Sequence, residues 1–126
     1  MPAIKEPLNL GDLLKFEEVH LNYSREQVTV AAGENLELGA VVGRISVNAK
    51  VKRFDPVATD GSEHPAGILL GACNAALIDI DDAVMLARHG VVATHALSWP
   101  SGITAGQKTA AIADLEARGI LIRQSA

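Results

Sequence analysis

Aromatic side chains are scarce: Phe16, Tyr23, Phe54 and Trp99 are only 3% of the 126 residues. A nucleic-acid stacking platform or a carbohydrate-binding face needs exposed rings, and four scattered ones supply little material. Positive charge is also short. Lys and Arg total 11 against 15 Asp and Glu, for a formal charge of −4, which argues against a general phosphate-neutralising nucleic-acid binder. Cys73 is the single cysteine, so an intrachain disulfide and a multi-cysteine zinc site are excluded. The longest aliphatic run, Ala66 to Cys73, falls far short of the roughly 20 residues a membrane helix needs. The opening Met1-Pro2-Ala3-Ile4-Lys5-Glu6-Pro7 offers no apolar stretch to act as a secretory signal. These absences predict a soluble chain, made and used in the cytoplasm or released from it by lysis.

What is present is aliphatic. Hydrophobic residues make up 48% of the sequence, and with so few rings that mass is Ala, Val, Leu and Ile. Such a composition suits dense packing of short elements, and the length suits one domain. A mean hydropathy of +0.20 in so small a chain predicts apolar surface covered by other chains, hence an oligomer.

From Leu8 to Ser24 the apolar positions fit neither the helical nor the strand period, and Gly11 interrupts them. Asp12 can cap a short helical turn, or Lys15 to Leu21 can be extended. From Gln27-Val28-Thr29-Val30 the pattern becomes β, followed by turn chemistry at Ala32-Gly33-Glu34-Asn35. Val41 to Asn48 alternates, with Val41, Gly43, Ile45 and Val47 on one face, and Val51 to Phe54 returns as its partner. Ala66 to Ala72 reads as a short, fully buried strand. Asp79 to Asp82 reads as an acidic hairpin region, and Ala83 to Thr94 as a long strand broken near Arg88-His89-Gly90, where Gly90 suits a bulge.

The last third is different. Trp99-Pro100-Ser101-Gly102 forms a rigid loop, with Trp99 as a packing anchor and Pro100 fixing the chain behind it. Thr104 and Gln107 stand at capping-box spacing, Thr104 as the N-cap. The helix is predicted from Ala105 to Arg118, ended by Gly119 in a left-handed conformation. Ala111, Ile112 and Leu115 form its core stripe. Ala110, Ala113 and Ala117 either reflect helix propensity or let another element approach. Ile120 to Arg123 is a final strand. The reading is a mainly β, small α+β domain of about six short strands with one C-terminal helix.

Candidate chemistry is thin. Cys73 follows a buried-looking strand, so a small core hydrophobe and a thiol nucleophile are both open readings. His89 and His95 lie about 20 Å apart along a continuous strand, too far to share a metal. Asp79, Asp81 and Asp82 lack the glycine-centred loop and terminal glutamate of a calcium-binding EF-hand. Arg44, Lys50, Lys52 and Arg53 form the one basic cluster, read as an exposed hairpin face or as a contact for an acidic surface. No G-x-S-x-G elbow supports Ser98 as a nucleophile. No catalytic residue, metal or cofactor is therefore assigned.

Several motifs in order carry a resemblance: Gly11-Asp12-Leu13-Leu14-Lys15-Phe16-Glu17, Tyr23-Ser24-Arg25-Glu26, Asp60-Gly61, Ala66-Gly67-Ile68-Leu69-Leu70, Arg88-His89, Leu97-Ser98-Trp99-Pro100-Ser101-Gly102 and Gly119-Ile120-Leu121-Ile122-Arg123. Together, from about Gly11 to Arg123, they resemble the head decoration protein family of tailed phages and prophages, the lambda type among them. The resemblance implies a compact, irregular, β-barrel-like domain of the β-tulip type. It implies a non-enzymatic capsid decoration (cement) protein, a homotrimer at three-fold sites of an expanded head that braces the shell against internal DNA pressure. Its partners would then be itself and the major capsid protein, without direct nucleic-acid or membrane contact. Its place would be the outer surface of the virion, and the host cytoplasm during assembly. Two rival classes remain: a small β-barrel carrier or binding module with Lys50 at a hairpin tip, and a thiol hydrolase.

Residues 1–24 differ from the lambda type and read as an amino-terminal arm, with residues 25–126 as the decoration-protein β-domain. Pro2 and Pro7 resist regular structure, and Leu8, Leu10, Leu13, Leu14, Phe16 and Val19 lack a period that seats them in their own core. The arm either docks on the shell, by strand addition, or packs on the trimer.

Overall fold

The computed structural model describes residues 10–17 and 24–124. Five strands close into a barrel in the order β2-β5-β4-β6-β8: β2 (Arg25–Val30), β4 (Val41–Arg44), β5 (Val51–Arg53), β6 (Pro65–Leu69) and β8 (Ile80–Leu86). A three-stranded sheet lies outside it, with β9 (Gly90–Ala93) between antiparallel β1 (Leu14–Glu17) and parallel β10 (Ile120–Arg123). A small pair, β3 (Glu34–Leu36) with β7 (Cys73–Ala75), completes the strands. Helix α1 (Leu10–Leu13) is one turn, Thr94–Ala96 is a 3-10 turn, and α2 (Ala105–Ala117) is the long helix.

Two cores explain why the barrel strands look apolar on both faces. Val28, Val30, Val42, Val51, Ala83 and Met85 fill one cluster inside the barrel. Val41, Ile68 and Leu86, from the same strands, belong to a second cluster with Val92, Leu115 and Ile120. The outer sheet and α2 thus wrap the barrel and bury its outward residues. This is why Val41 and Val42 are both fully buried, where simple alternation predicts that one faces solvent.

The sequence reading needs correction at several points. The predicted strand from Val41 ends at Arg44, and Val47 stands 91% exposed in the following turn. The break expected near Arg88-His89-Gly90 is present, but as a turn and not a bulge: His89, at φ 53°, turns the chain between β8 and β9. Gly90 opens β9 where a Cβ would meet Leu86 Cδ2 at 2.9 Å and the Phe16 carbonyl at 3.0 Å, so it is there for close approach. Glu34-Asn35, read as turn, begins β3; a three-residue strand is too short to show a period. The first segment resolves the open alternative as both, a helical turn at Leu10–Leu13 and then an extended β1.

Candidate functional site

Four residues predicted as structural anchors sit along the route into and out of α2. The Gln107 N–H donates to Thr104 Oγ1 at 3.1 Å, and the Thr104 N–H donates to Gln107 Oε1 at 2.9 Å, a complete capping box. Trp99 is half-buried, edge-on to Phe54 with ring centroids 6.4 Å apart, and Lys108 Nζ lies 5.9 Å from its ring centre. Pro100 follows it in the half-buried loop, and its carbonyl accepts from the Ile103 N–H. Gly119 has φ 82°, and a Cβ there would stand 2.3 Å from His89 Cδ2.

The arm residues do not behave as a group. Leu13 is fully buried, and Leu10 and Leu14 pack against the second core. The expectation that these leucines have no seat in their own domain is therefore overturned. The reason is that α1 and β1 lie against β9 and the Thr94–Ala96 turn, partners distant in sequence. Leu8 and Val19 lie outside the described residues. Phe16 is different, at 61% exposed.

Register places Phe16 opposite Val91 of β9, and Val91 beside Leu121 of β10. The neighbouring row, Val92 and Ile122, faces the second core. Successive strand residues point to opposite faces, so Phe16, Val91 and Leu121 form an apolar row on the outward face of the three-stranded sheet. Val91 and Leu121 are half-exposed. Sequence reasoning named Phe16 alone, because the row joins residues from three distant segments. Their apolar character at alternate positions of short strands was the one available signal.

The basic cluster is consumed within the fold. Arg44 pairs with Glu26 at 2.7 Å, Lys50 with Asp79 at 2.5 Å, Lys52 with Asp60 at 3.6 Å and Arg53 with Glu37 at 2.9 Å. Arg88 shares Glu26 at 3.2 Å. Hydrogen bonds from Arg53, and then from Ser98, hold the Glu37 carboxyl down at about 2, against the opposing effect of burial. The Glu17 carboxyl is likewise lowered, chiefly by its hydrogen bonds from Arg25.

The same bonds bear on the chemical candidates. Ser98 Oγ donates to Glu37 and accepts from Arg53 Nη1 at 3.3 Å. Lys50, the carrier candidate, holds Asp79. Cys73 is buried at the edge of an open groove of about 420 Å³ in which Arg25 and Asp82 are the ionisable neighbours and no histidine takes part. Burial, and after it the nearby Asp82 charge, push the thiol pKa up, the opposite of what a nucleophilic thiolate needs. Among the described residues no three His, Cys, Asp or Glu side chains gather as metal ligands, and no helix is long and apolar enough to cross a membrane.

A barrel wrapped by a second sheet thus presents a basic cluster already paired with carboxylates and an outward apolar row. A comparison with curated proteins finds no match. The family model for the bacteriophage lambda head decoration protein D matches residues 3–120, nearly the whole chain, and the protein belongs to that family.

Proposed function

We propose that the protein works as a homotrimer at three-fold sites of an expanded phage head, where it cements neighbouring shell subunits against internal DNA pressure. Family membership already gives the coarser part: this is a phage head decoration protein of a structural family, associated with the capsid of a virion. The finer reading adds the oligomer, the three-fold site and a docking face.

The observation that carries the docking face is the row Phe16, Val91 and Leu121. It is apolar, with Phe16 61% exposed and Val91 and Leu121 half-exposed, and β1 itself belongs to the amino-terminal arm. In this reading the arm, Leu8 included, and the row of the outer sheet together meet the major capsid protein. Leu13 and Leu14 belong to the platform that holds the row in place. Strand addition beside β1, at the end of the β1-β9-β10 order, is the mode of docking this reading expects.

The test uses expanded heads lacking the decoration protein. The parent chain, Phe16→Glu and a chain beginning at Leu10 are each added, and bound copies are counted after sedimentation. The reading expects all three to fold, and both variants to lose most of their binding. Full occupancy by Phe16→Glu overturns the sheet face as the docking surface. Full occupancy by the shortened chain overturns the arm.

A further inference from the structure

A cleft of about 630 Å³ opens between the start of β3, the end of β5 and the Trp99 loop. Its two cations are engaged within the fold, Lys52 with Asp60 and Arg53 with Glu37. Two half-buried carboxylates of the same cleft are not so matched. The Arg53 backbone N–H donates to Glu34 Oε1 at 2.6 Å, and the Val57 N–H donates to Asp55 Oδ1 at 3.1 Å. Backbone amides thus hold both side chains, and among the described residues neither pairs with a cation. Trp99 stands half-buried beside them, and Lys108 reaches its ring from α2 rather than from the cleft. Asp55, Pro100 and Ser101 also border a second hollow of about 200 Å³, at the start of α2. Val57 lines that hollow, 77% exposed and part of neither core.

We propose that cleft and hollow together form a docking groove for an extended segment of a partner protein, with an arginine in the cleft and an apolar side chain on Val57. Charge selects the occupant. Two carboxylates without a cation repel phosphates, so a nucleic acid does not suit the cleft. An arginine does, because its planar fork donates to more than one carboxylate while its face lies on an indole. The adjoining hollow adds an apolar demand that a peptide meets and a lone cation does not. Residues two apart in an extended segment share a face, so the pattern that fits is an arginine, any residue, then an apolar one. The walls are already set. Pro56 and Pro100 restrain the chain on either side, the Asp55 N–H donates to the Ser62 carbonyl at 3.0 Å and the Ile103 N–H to the Pro100 carbonyl at 3.4 Å, so little ordering is lost on binding. The groove shares no residue with the row Phe16, Val91 and Leu121, and the inference requires neither that row nor the trimer.

Trp99 is the only tryptophan, so its fluorescence reads the cleft directly. The full chain is titrated with the peptide acetyl-Ala-Arg-Ala-Leu-Ala-amide, with a control carrying glutamine for the arginine, and with one carrying alanine for the leucine. The inference expects the arginine peptide to bind at least about 10-fold more tightly than the glutamine control, the effect of a charge-assisted contact, and more tightly than the alanine control. The preference should fall as salt rises from about 0.05 to about 0.5 M. In the variant Glu34→Gln with Asp55→Asn, which keeps both acceptor oxygens for their backbone donors, it should vanish at an unchanged thermal transition. Equal binding of the arginine and glutamine peptides, or no Trp99 response up to about 10 mM peptide, overturns the cleft as a cation site. Equal binding of the parent peptide and the alanine control overturns the hollow as part of the groove. A preference that resists salt, or that survives in the double variant, overturns the two carboxylates as its source.

Discussion

Arg53 grips both carboxylate oxygens of Glu37, Nη1 to Oε1 at 2.9 Å and Nη2 to Oε2 at 3.1 Å. The pair ties the loop after β3 to β5, and Ser98 brings the chain after the 3-10 turn into the same cluster. Three segments far apart in sequence are thus held by one carboxylate.

A pH dependence follows. The folded-state pKa of Glu37 is depressed to about 2 from 4.5. A depressed carboxylate contributes stability that is present above its unfolded pKa and lost as pH falls through the folded one. The window is therefore about pH 4.5 down to about 2. Glu37 is half-exposed, with 51% of its side-chain area accessible, so solvent screening limits the contribution to about 1 kcal/mol. Glu17, also lowered by its arginine, acts in the same direction. Urea unfolding of the parent and Glu37→Gln at pH 7 and pH 2.5 checks this. The variant should be less stable at pH 7, and the difference should shrink at pH 2.5. A difference that stays constant would assign the loss to something other than the ionised pair.

Gly119 and His89 form a second coupled pair. Gly119→Ala forces a side chain into a left-handed backbone and against His89 Cδ2, at an expected cost of about 1–3 kcal/mol. His89 itself has φ 53°. His89→Gly relieves both the clash and its own positive φ, so in that background Gly119→Ala should cost measurably less. Thermal unfolding of the two single variants and the double variant reads this coupling, and strict additivity would refute it.

Some of this architecture is written locally and some is not. The capping box and the left-handed stop depend on residues within a few positions of each other, so Thr104, Gln107 and Gly119 announce α2 directly. Strand β6 is legible because it is buried on both faces and reads as an unbroken apolar run. The arm leucines are not legible, because the seat of Leu13 is built by the Thr94–Ala96 turn and β9, some 80 positions away, and no window of the sequence contains it. The basic cluster fails for the same reason. Arg44, Lys50, Lys52 and Arg53 look like a free basic face until the fold brings a carboxylate to each. The outward row fails too, since Phe16, Val91 and Leu121 become neighbours only through the register of the outer sheet.

Trp99 and Thr104 give a graded pair of stability effects. A fully buried Trp→Ala change costs about 3–5 kcal/mol. Trp99 is only half-buried, with Phe54 as its ring partner, so Trp99→Ala should cost about 2 kcal/mol. Thr104→Ala removes the side-chain half of the capping box and should cost about 1 kcal/mol. Denaturant midpoints at unchanged slope measure both. An effect of Thr104→Ala equal to or above that of Trp99→Ala would contradict the ranking of packing over capping here.

Leu13 and Phe16 are three residues apart and should part company completely when each is replaced by alanine. Leu13 is fully buried in the second core, and losing its side chain leaves a cavity that neighbouring β9 and the 3-10 turn cannot close, at about 2–5 kcal/mol. Phe16 is 61% exposed, so Phe16→Ala removes little packing and should move stability by less than about 1 kcal/mol. On expanded heads the order reverses. At a temperature where both variants are folded, Leu13→Ala should bind with nearly parental affinity, because the outward row is intact. Phe16→Ala should bind at least about 10-fold more weakly, the loss of one central aromatic contact. Unfolding curves and head-binding isotherms on the same two proteins decide the matter. A Phe16→Ala protein that is badly destabilised would return the residue to the domain's own packing, and one that binds heads like the parent would move the docking face elsewhere.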